Sequence, residues 1–322
     1  MLDVITIGDI KLDTFVLLND ANLQCQLKMP ECQLCMEYGG KILVSDVESQ
    51  MAGSAPNVAI GLSRMGLKTA IISQMGNDGT YELALKKLKE EKVSTTSITT
   101  KKGIKSAYSV VLNFKEERTI LTSHVQSLYR LPKNLPPSKW LYLSEMGSGY
   151  EGLFSSVIHH KKKHKTKIAF NPGSLQIQEK KPELFELLRA SDIVFVNVEE
   201  AQRLTGEKER EIHHLAKSLW ELAQTELVLT DGKNGAYYFD GSLLLSIPIF
   251  PGKRIETTGA GDAFATGFLS GILLQKPPEE ALRWAAINAA SVIEYVGPQK
   301  GLLTIRQMKT RLQKHPEFKT HK

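Results

Sequence analysis

The run ETTGAGDAF, Glu256 to Phe264, combines two kinds of chemistry in one loop. Gly259, Ala260 and Gly261 let a ligand come close to the backbone, and the small, apolar ATGFLSGILLQ after them has helical spacing. A glycine-rich loop that opens a helix presents free N–H groups beside the positive end of the helix dipole, which suits an anion. Asp262 would repel that anion unless its carboxylate is there for proton chemistry. A glycine turn with an aspartate cap is the bland alternative. It leaves the repeated threonine and the apolar helix unaddressed.

Three further motifs carry weaker signals. In AGSAPNVAIGLSRMG, Ala52 to Gly66, the small Gly53, Ser54 and Ala55 allow close approach, and Asn57 offers both a donor and an acceptor. A tight turn before a packed helix explains the same residues. In FVNVEEAQRLTG, Asn197 and Glu200 stand three apart where a strand meets a helix, so both can face one ligand or hydrated cation. An asparagine helix cap is the competing reading. In LVLTDGKNGAYYF, Thr230, Gly232 and Gly235 form T-x-G-x-x-G, which can hold a phosphate through backbone amides and the threonine hydroxyl, or simply turn a hairpin.

Such residues act together only if the fold collects them. Apolar runs (VITIG, TAIISQMG, KWLYLSEMG, KIAFNPG, DIVFVN, ELVLTDG) alternate with helical patterns such as NVAIGLSRMG, YELALKKLKEEK, PELFELLRA and EEAQRLTG. Continuous apolar strands between helices predict an α/β fold with a parallel sheet covered on both faces. Functional residues then gather at the carboxyl ends of the strands. Asp13, Gly76, Glu145, Asn171, Asn197 and Asp231 all fall there. Two segments break the rhythm, Phe15 to Met51 and Ser106 to His124. Both read as strands without an amphipathic helix, and together they predict a small antiparallel lid on a single domain spanning residues 1–322.

Composition excludes little but is consistent with this. The chain has 322 residues, 42% hydrophobic and 24% charged, with a formal net charge of +6. The basic run HHKKKHK reads as a solvated helix end, and no nucleic-acid motif accompanies it. Without a signal-like start or a membrane-length apolar run, the expected location is cytoplasmic, with no membrane partner. Cys25, Cys32 and Cys35 lack a fourth ligand for a structural zinc site and are expected to be reduced thiols.

Taken in order, G-x-x-x-N near residue 55, N-x-x-E near 200, T-x-G-x-x-G near 230 and T-G-A-G-D near 260 resemble the ribokinase-like (PfkB) carbohydrate kinase family. The resemblance runs from Gly8-Asp9 to Lys300-Gly301. It implies a three-layer α/β/α fold with a mostly parallel central sheet and a β lid. It also implies phosphoryl transfer from ATP, with Mg²⁺, to a hydroxyl of a small carbohydrate such as ribose, a ketohexose or a 2-keto-3-deoxy sugar acid. A nucleoside kinase and a catalytically idle ligand sensor are the alternatives. On this resemblance Asp262 is the general base, and the amides of Gly259, Ala260 and Gly261 form the anion hole. Asp13, Gly53, Asn57 and Glu145 bind substrate; Asn197, Thr230, Gly232, Gly235 and Asn288 serve the nucleotide; Glu200 serves the metal.

The chain departs from the family pattern at several places. Lys11 stands where a smaller polar residue is usual, and Glu256 replaces an aspartate in a loop that holds a monovalent cation in relatives, leaving a K⁺ requirement open. The closing loop YVGPQKG fits only with a small insertion. The lid strands carry apolar residues on a second face, from which we expect a homodimer with Val44, Val110 and Leu112 near its interface.

Overall fold

The computed structural model describes residues 1–18, 22–24, 33–114, 117–125 and 128–322. In chain order the first strands are β1 (Leu2–Ile7), β2 (Lys11–Leu18), β3 (Asn22–Gln24), β4 (Gln33–Cys35) and β5 (Val44–Ala52). Helix α1 (Ser54–Arg64), strand β6 (Thr69–Gly76), helix α2 (Gly79–Glu90) and strands β7 (Ser94–Lys101), β8 (Ala107–Phe114) and β9 (Glu117–Ser123) follow. Next come β10 (Ser138–Leu143), α3 (Glu151–His164), β11 (Lys167–Phe170), α4 (Ser174–Glu179), α5 (Pro182–Ala190), β12 (Ile193–Asn197), α6 (Val198–Thr205) and α7 (Ile212–Ala223). The chain closes with β13 (Glu226–Thr230), β14 (Ala236–Phe239), β15 (Leu244–Ile247), α8 (Ala260–Leu273), α9 (Pro278–Val292) and α10 (Ile305–Lys314).

A nine-stranded sheet of order β15-β14-β13-β12-β11-β10-β1-β6-β7 forms the centre. Its pairs from β7 through β13 are parallel, and only the pairs β13–β14 and β14–β15 are antiparallel. The apolar runs make these strands because both sheet faces are covered, so successive side chains must both be apolar. Val4, Trp140, Tyr142 and Phe195 pack towards α1, α8 and α9 on one face. Ile5, Leu141, Leu143 and Phe170 pack towards α3, α5 and α7 on the other.

Small residues set α8 in place. A Cβ on Gly267 would lie 2.6 Å from Ala285 Cα, and one on Gly271 would lie 2.8 Å from Ala281 Cα, so α8 and α9 meet backbone to backbone. Phe268 meets Phe195 edge-on at 5.8 Å, fixing α8 over the sheet.

The lid is a second sheet of order β5-β2-β8-β9. It begins at Lys11 rather than Phe15, because β1 ends at Ile7 and the chain turns straight into β2. Its outer pairs are antiparallel as expected, yet the central pair β2–β8 is parallel. Both strands leave the main sheet in the same direction, β2 after β1 and β8 after β7, and so run side by side. Of the residues expected at a dimer interface, Val44 is exposed, Val110 is half-buried and Leu112 is buried. Leu112 therefore offers no surface, whereas Val47 and Leu121 on that face are exposed. Cys35, on β4, is a free thiol, whereas Cys25 and Cys32 lie outside the described residues.

Candidate active site

The loop before α8 is built as its sequence suggests. Gly259 is the N-cap of α8 with φ of 79°, a conformation that favours glycine, and a Cβ there would collide with Pro298. The Ala260 N–H donates to Thr257 O at 3.2 Å, so one of the three expected anion-hole donors is engaged. Among the described residues the N–H groups of Gly259 and Gly261 have no such partner, and the space beside Gly261 is open. Glu256 is buried, and its two carboxylate oxygens accept from Thr258 N at 2.6 Å and Gly297 N at 3.3 Å. It thereby ties the loop before α8 to the closing loop.

Asp262 lies in the first turn of α8. Its Oδ2 accepts from Asn57 Nδ2 at 2.7 Å. One helical turn further on, a Cβ at Gly61 would come within 2.5 Å of Thr266 Cγ2, so glycine lets α1 and α8 approach closely enough for the pair to form. Gln299 Nε2 donates to Asn57 Oδ1 at 2.8 Å and to Met51 O at 2.9 Å, which aims the Asn57 amide at Asp262. Burial pushes the Asp262 carboxyl above the ordinary aspartate value, while hydrogen bonds from Asn57 and Ser54 oppose the shift. Gly53, at φ of 112°, opens α1 directly against Asp9 O, where a Cβ would collide.

Asp13 projects from β2 into the same space. Among the described residues its Oδ1 is buried without a partner, and burial pushes its pKa up to about 6, against Lys11 and Ser109. Glu145 follows β10. Its Oε2 accepts from Lys11 Nζ at 2.6 Å, and its Oε1 faces His124 Nε2 at 3.5 Å. His124 Nδ1 lies 2.8 Å from Asp9 Oδ2, and Tyr129 donates its hydroxyl to Asp9 Oδ1 at 2.6 Å. Lys11 also donates to Thr122 Oγ1 at 3.3 Å, and from the same strand Arg118 Nη1 donates to Thr257 Oγ1. Lid and floor thus meet through charged groups.

The helix-cap reading of N-x-x-E is the one the structure realises. Asn197 Oδ1 accepts from Glu200 N at 2.7 Å and Glu200 Oε2 from Asn197 N at 2.9 Å, a reciprocal cap on α6. Burial raises the Glu200 pKa to about 7. The other Glu200 oxygen has no hydrogen-bond partner among the described residues. Among the described residues no group of three or more His, Cys, Asp or Glu could hold a metal ion. A hydrated Mg²⁺ needs only one or two carboxylates beside nucleotide phosphates, so this donor set fits it.

T-x-G-x-x-G also turns the β13–β14 hairpin. Gly235, at φ of 98°, sits against Ile247 O with no room for a Cβ, while Gly232 is exposed and Thr230 half-buried at the end of β13. Asn288 corrects the expectation. It is fully buried, its Nδ2 donates to Ala263 O at 2.8 Å and its Oδ1 accepts from Leu303 N at 3.1 Å. Both polar ends are committed to backbone, so it braces α8 instead of touching a nucleotide.

The structure therefore gathers Asp13, Gly53, Asn57, Glu145, Asp262 and the loop at Gly259 around one space, with Asn197, Glu200 and Thr230 at neighbouring strand ends. Sequence reasoning missed His124, Tyr129 and Gln299. It noted Lys11 without placing it in the site. The alternation of a strand was the available signal, because Lys11 and Asp13, two apart on β2, must share a face.

The pfkB family carbohydrate kinase profile matches residues 15–305. The chain belongs to this family. It is a carbohydrate kinase, a phosphotransferase with an alcohol acceptor. It is 24% identical over 310 residues to the ATP-dependent 6-phosphofructokinase of Thermoanaerobacterium thermosaccharolyticum, covering 92% of this chain and 89% of that one. The kinase is also 26% identical over 262 residues to the ribokinase of Haemophilus influenzae, covering 78% and 84%. The Arabidopsis thaliana ribokinase structure complexed with ribose and ATP superposes with a TM-score of 0.80 at 18% identity, over 97% of this chain and 99% of that one. The Methanocaldococcus jannaschii nucleoside kinase superposes at 0.79 and 21%, over 98% and 99%. These likenesses show the ribokinase-like fold. Among the described residues no helix is long and apolar enough to cross a membrane.

Proposed function

We propose that this kinase moves the γ-phosphoryl group of ATP to a sugar hydroxyl, with Asp262 as the general base. The observation that carries the assignment is the anchored Asp262 carboxylate, held by Asn57 at 2.7 Å beside the unengaged N–H groups of Gly259 and Gly261. A hydroxyl held next to Asp262 passes its proton to the carboxylate as the oxygen attacks phosphorus. The Gly259 and Gly261 amides, at the positive end of α8, stabilise charge on the transferring group. Asp13, Gly53, Asn57 and Glu145 hold the sugar, and the lid keeps water from competing with it. Thr230, Gly232 and Gly235 flank the nucleotide at the end of β13. Asn197 and the free oxygen of Glu200 hold the hydrated Mg²⁺, which when bound offsets phosphate charge. No covalent enzyme intermediate is needed.

The exposed Val44, Val47 and Leu121 on the lid support a homodimer in which two lids pack together. ATP as phosphoryl donor fits a cytoplasmic location. The direct test is ADP release from ATP and Mg²⁺ with a panel of sugars. Sugar-dependent release is expected. A rate with every sugar equal to the sugar-free rate would overturn the proposal.

A further inference from the structure

The face of the lid that looks into the site is unusual in its charges. Lys11 is only 5% exposed, yet its ammonium is not left for a ligand, because Glu145 Oε2 sits 2.6 Å away and Thr122 Oγ1 3.3 Å away. His124 lies between Asp9 and Glu145 and so faces carboxylates on both sides. Against these stand Asp13, with a buried oxygen that has no partner among the described residues, and Asp262. Arg118, on β9, donates to Thr257 Oγ1 in the loop before α8 and not to the carboxylates around Lys11.

Among the described residues the acceptor oxygens of Asp13, Glu145 and Asp262 therefore outnumber the one buried ammonium beside them, and Glu145 already holds that ammonium. A sugar hydroxyl can donate to such oxygens, whereas a carboxylate or phosphate can only accept. An anionic group would bring like charge into a desolvated site. Resting on the kinase reading above, we propose that the substrate is a neutral polyhydroxy sugar and that the Lys11–Glu145 pair is the specificity determinant that rejects sugar acids and sugar phosphates. Glu145 acts here by holding Lys11 neutralised and by accepting from the sugar itself.

The test compares kcat/KM for ribose, fructose and glucose with that for gluconate, 2-keto-3-deoxygluconate and fructose 6-phosphate, in the natural protein and in Glu145→Gln. The best neutral sugar is expected to exceed the best anionic one by at least about tenfold. Glu145→Gln frees the Lys11 ammonium and should narrow that ratio by about tenfold, whatever it does to the absolute rate. Lys11→Met, the second variant, should widen it. Preference of the natural protein for an anionic sugar, or for glucosamine over glucose, overturns the inference while leaving the kinase reading intact. A ratio unmoved in either variant, with melting curves showing folded protein, also overturns it. Absence of turnover with every sugar overturns both.

Discussion

Asn57 and Asp262 stand 205 residues apart in sequence and 2.7 Å apart in space, joined by a hydrogen bond from α1 to α8. The amide of Asn57 cannot turn away, since Gln299 holds its other end. Replacing Asp262 by Asn keeps the size and removes the proton acceptor. Asp262→Asn should lower kcat at least about a hundredfold, a common size for general-base catalysis, with ATP binding by calorimetry nearly unchanged. Near-normal turnover would take the base role from Asp262.

Asp13 ties activity to stability with a definite sign. Its ordinary pKa of 3.8 rises to about 6 in the folded chain, mainly because burial disfavours the charge. Between those values the native state holds a proton that the unfolded chain has released, so stability falls as pH rises and the full penalty stands above about pH 6. Asp13→Asn should therefore melt higher than the natural protein at pH 8, with the gap closing by pH 4. Its kcat/KM for the sugar should drop at every pH. Equal melting curves at pH 8 would mean that the charge is not penalised there.

For Glu200 the informative change is to Gln, which can still accept from Asn197 N and preserve the cap on α6. The half-saturating Mg²⁺ concentration should rise more than the sugar KM. If the Mg²⁺ response stays where it was, Glu200 is a helix cap and nothing more.

The carboxylate of Glu256 already joins the two loops through Thr258 N and Gly297 N. Turnover should consequently be the same in potassium and sodium chloride. A rate that depends on K⁺ would show that these bonds give way to a cation.

The lid face bearing Val47, Leu121 and Val44 is expected to meet its copy. Light scattering at micromolar protein should give twice the chain mass, and Leu121→Asp should reduce it to one. A monomer mass for the natural chain, with or without sugar, removes the dimer.

Much of the fold could be read in advance because a parallel sheet demands doubly apolar strands, and VITIG, DIVFVN and ELVLTDG have no other use for such runs. The groups around Asp262 were readable for a related reason, since glycines at forced backbone positions and polar residues at strand ends leave local marks. The pairs that complete the site leave none. Gln299 meets Asn57 across 242 residues, Lys11 meets Glu145 across 134, and His124 meets Asp9 across 115. Nothing in the immediate neighbourhood of any of these residues names its partner. Asn288 misled for another reason. The family resemblance alone gives Asn288 to the nucleotide, yet its amide is spent on Ala263 O and Leu303 N beside α8.

The lid rests on the floor through Lys11 and Glu145, His124 and Asp9, and Arg118 and Thr257. Each contact is made by a cationic or titratable side chain, Lys11 on β2, Arg118 on β9 and His124 just after β9. Lys11 and Asp9 are almost fully buried in these contacts, so dissolved salt screens them little. Lifting the lid would return the Lys11 ammonium and the Asp9 carboxylate to water together, and a change of buffer salt should leave the rate of sugar capture nearly where it was.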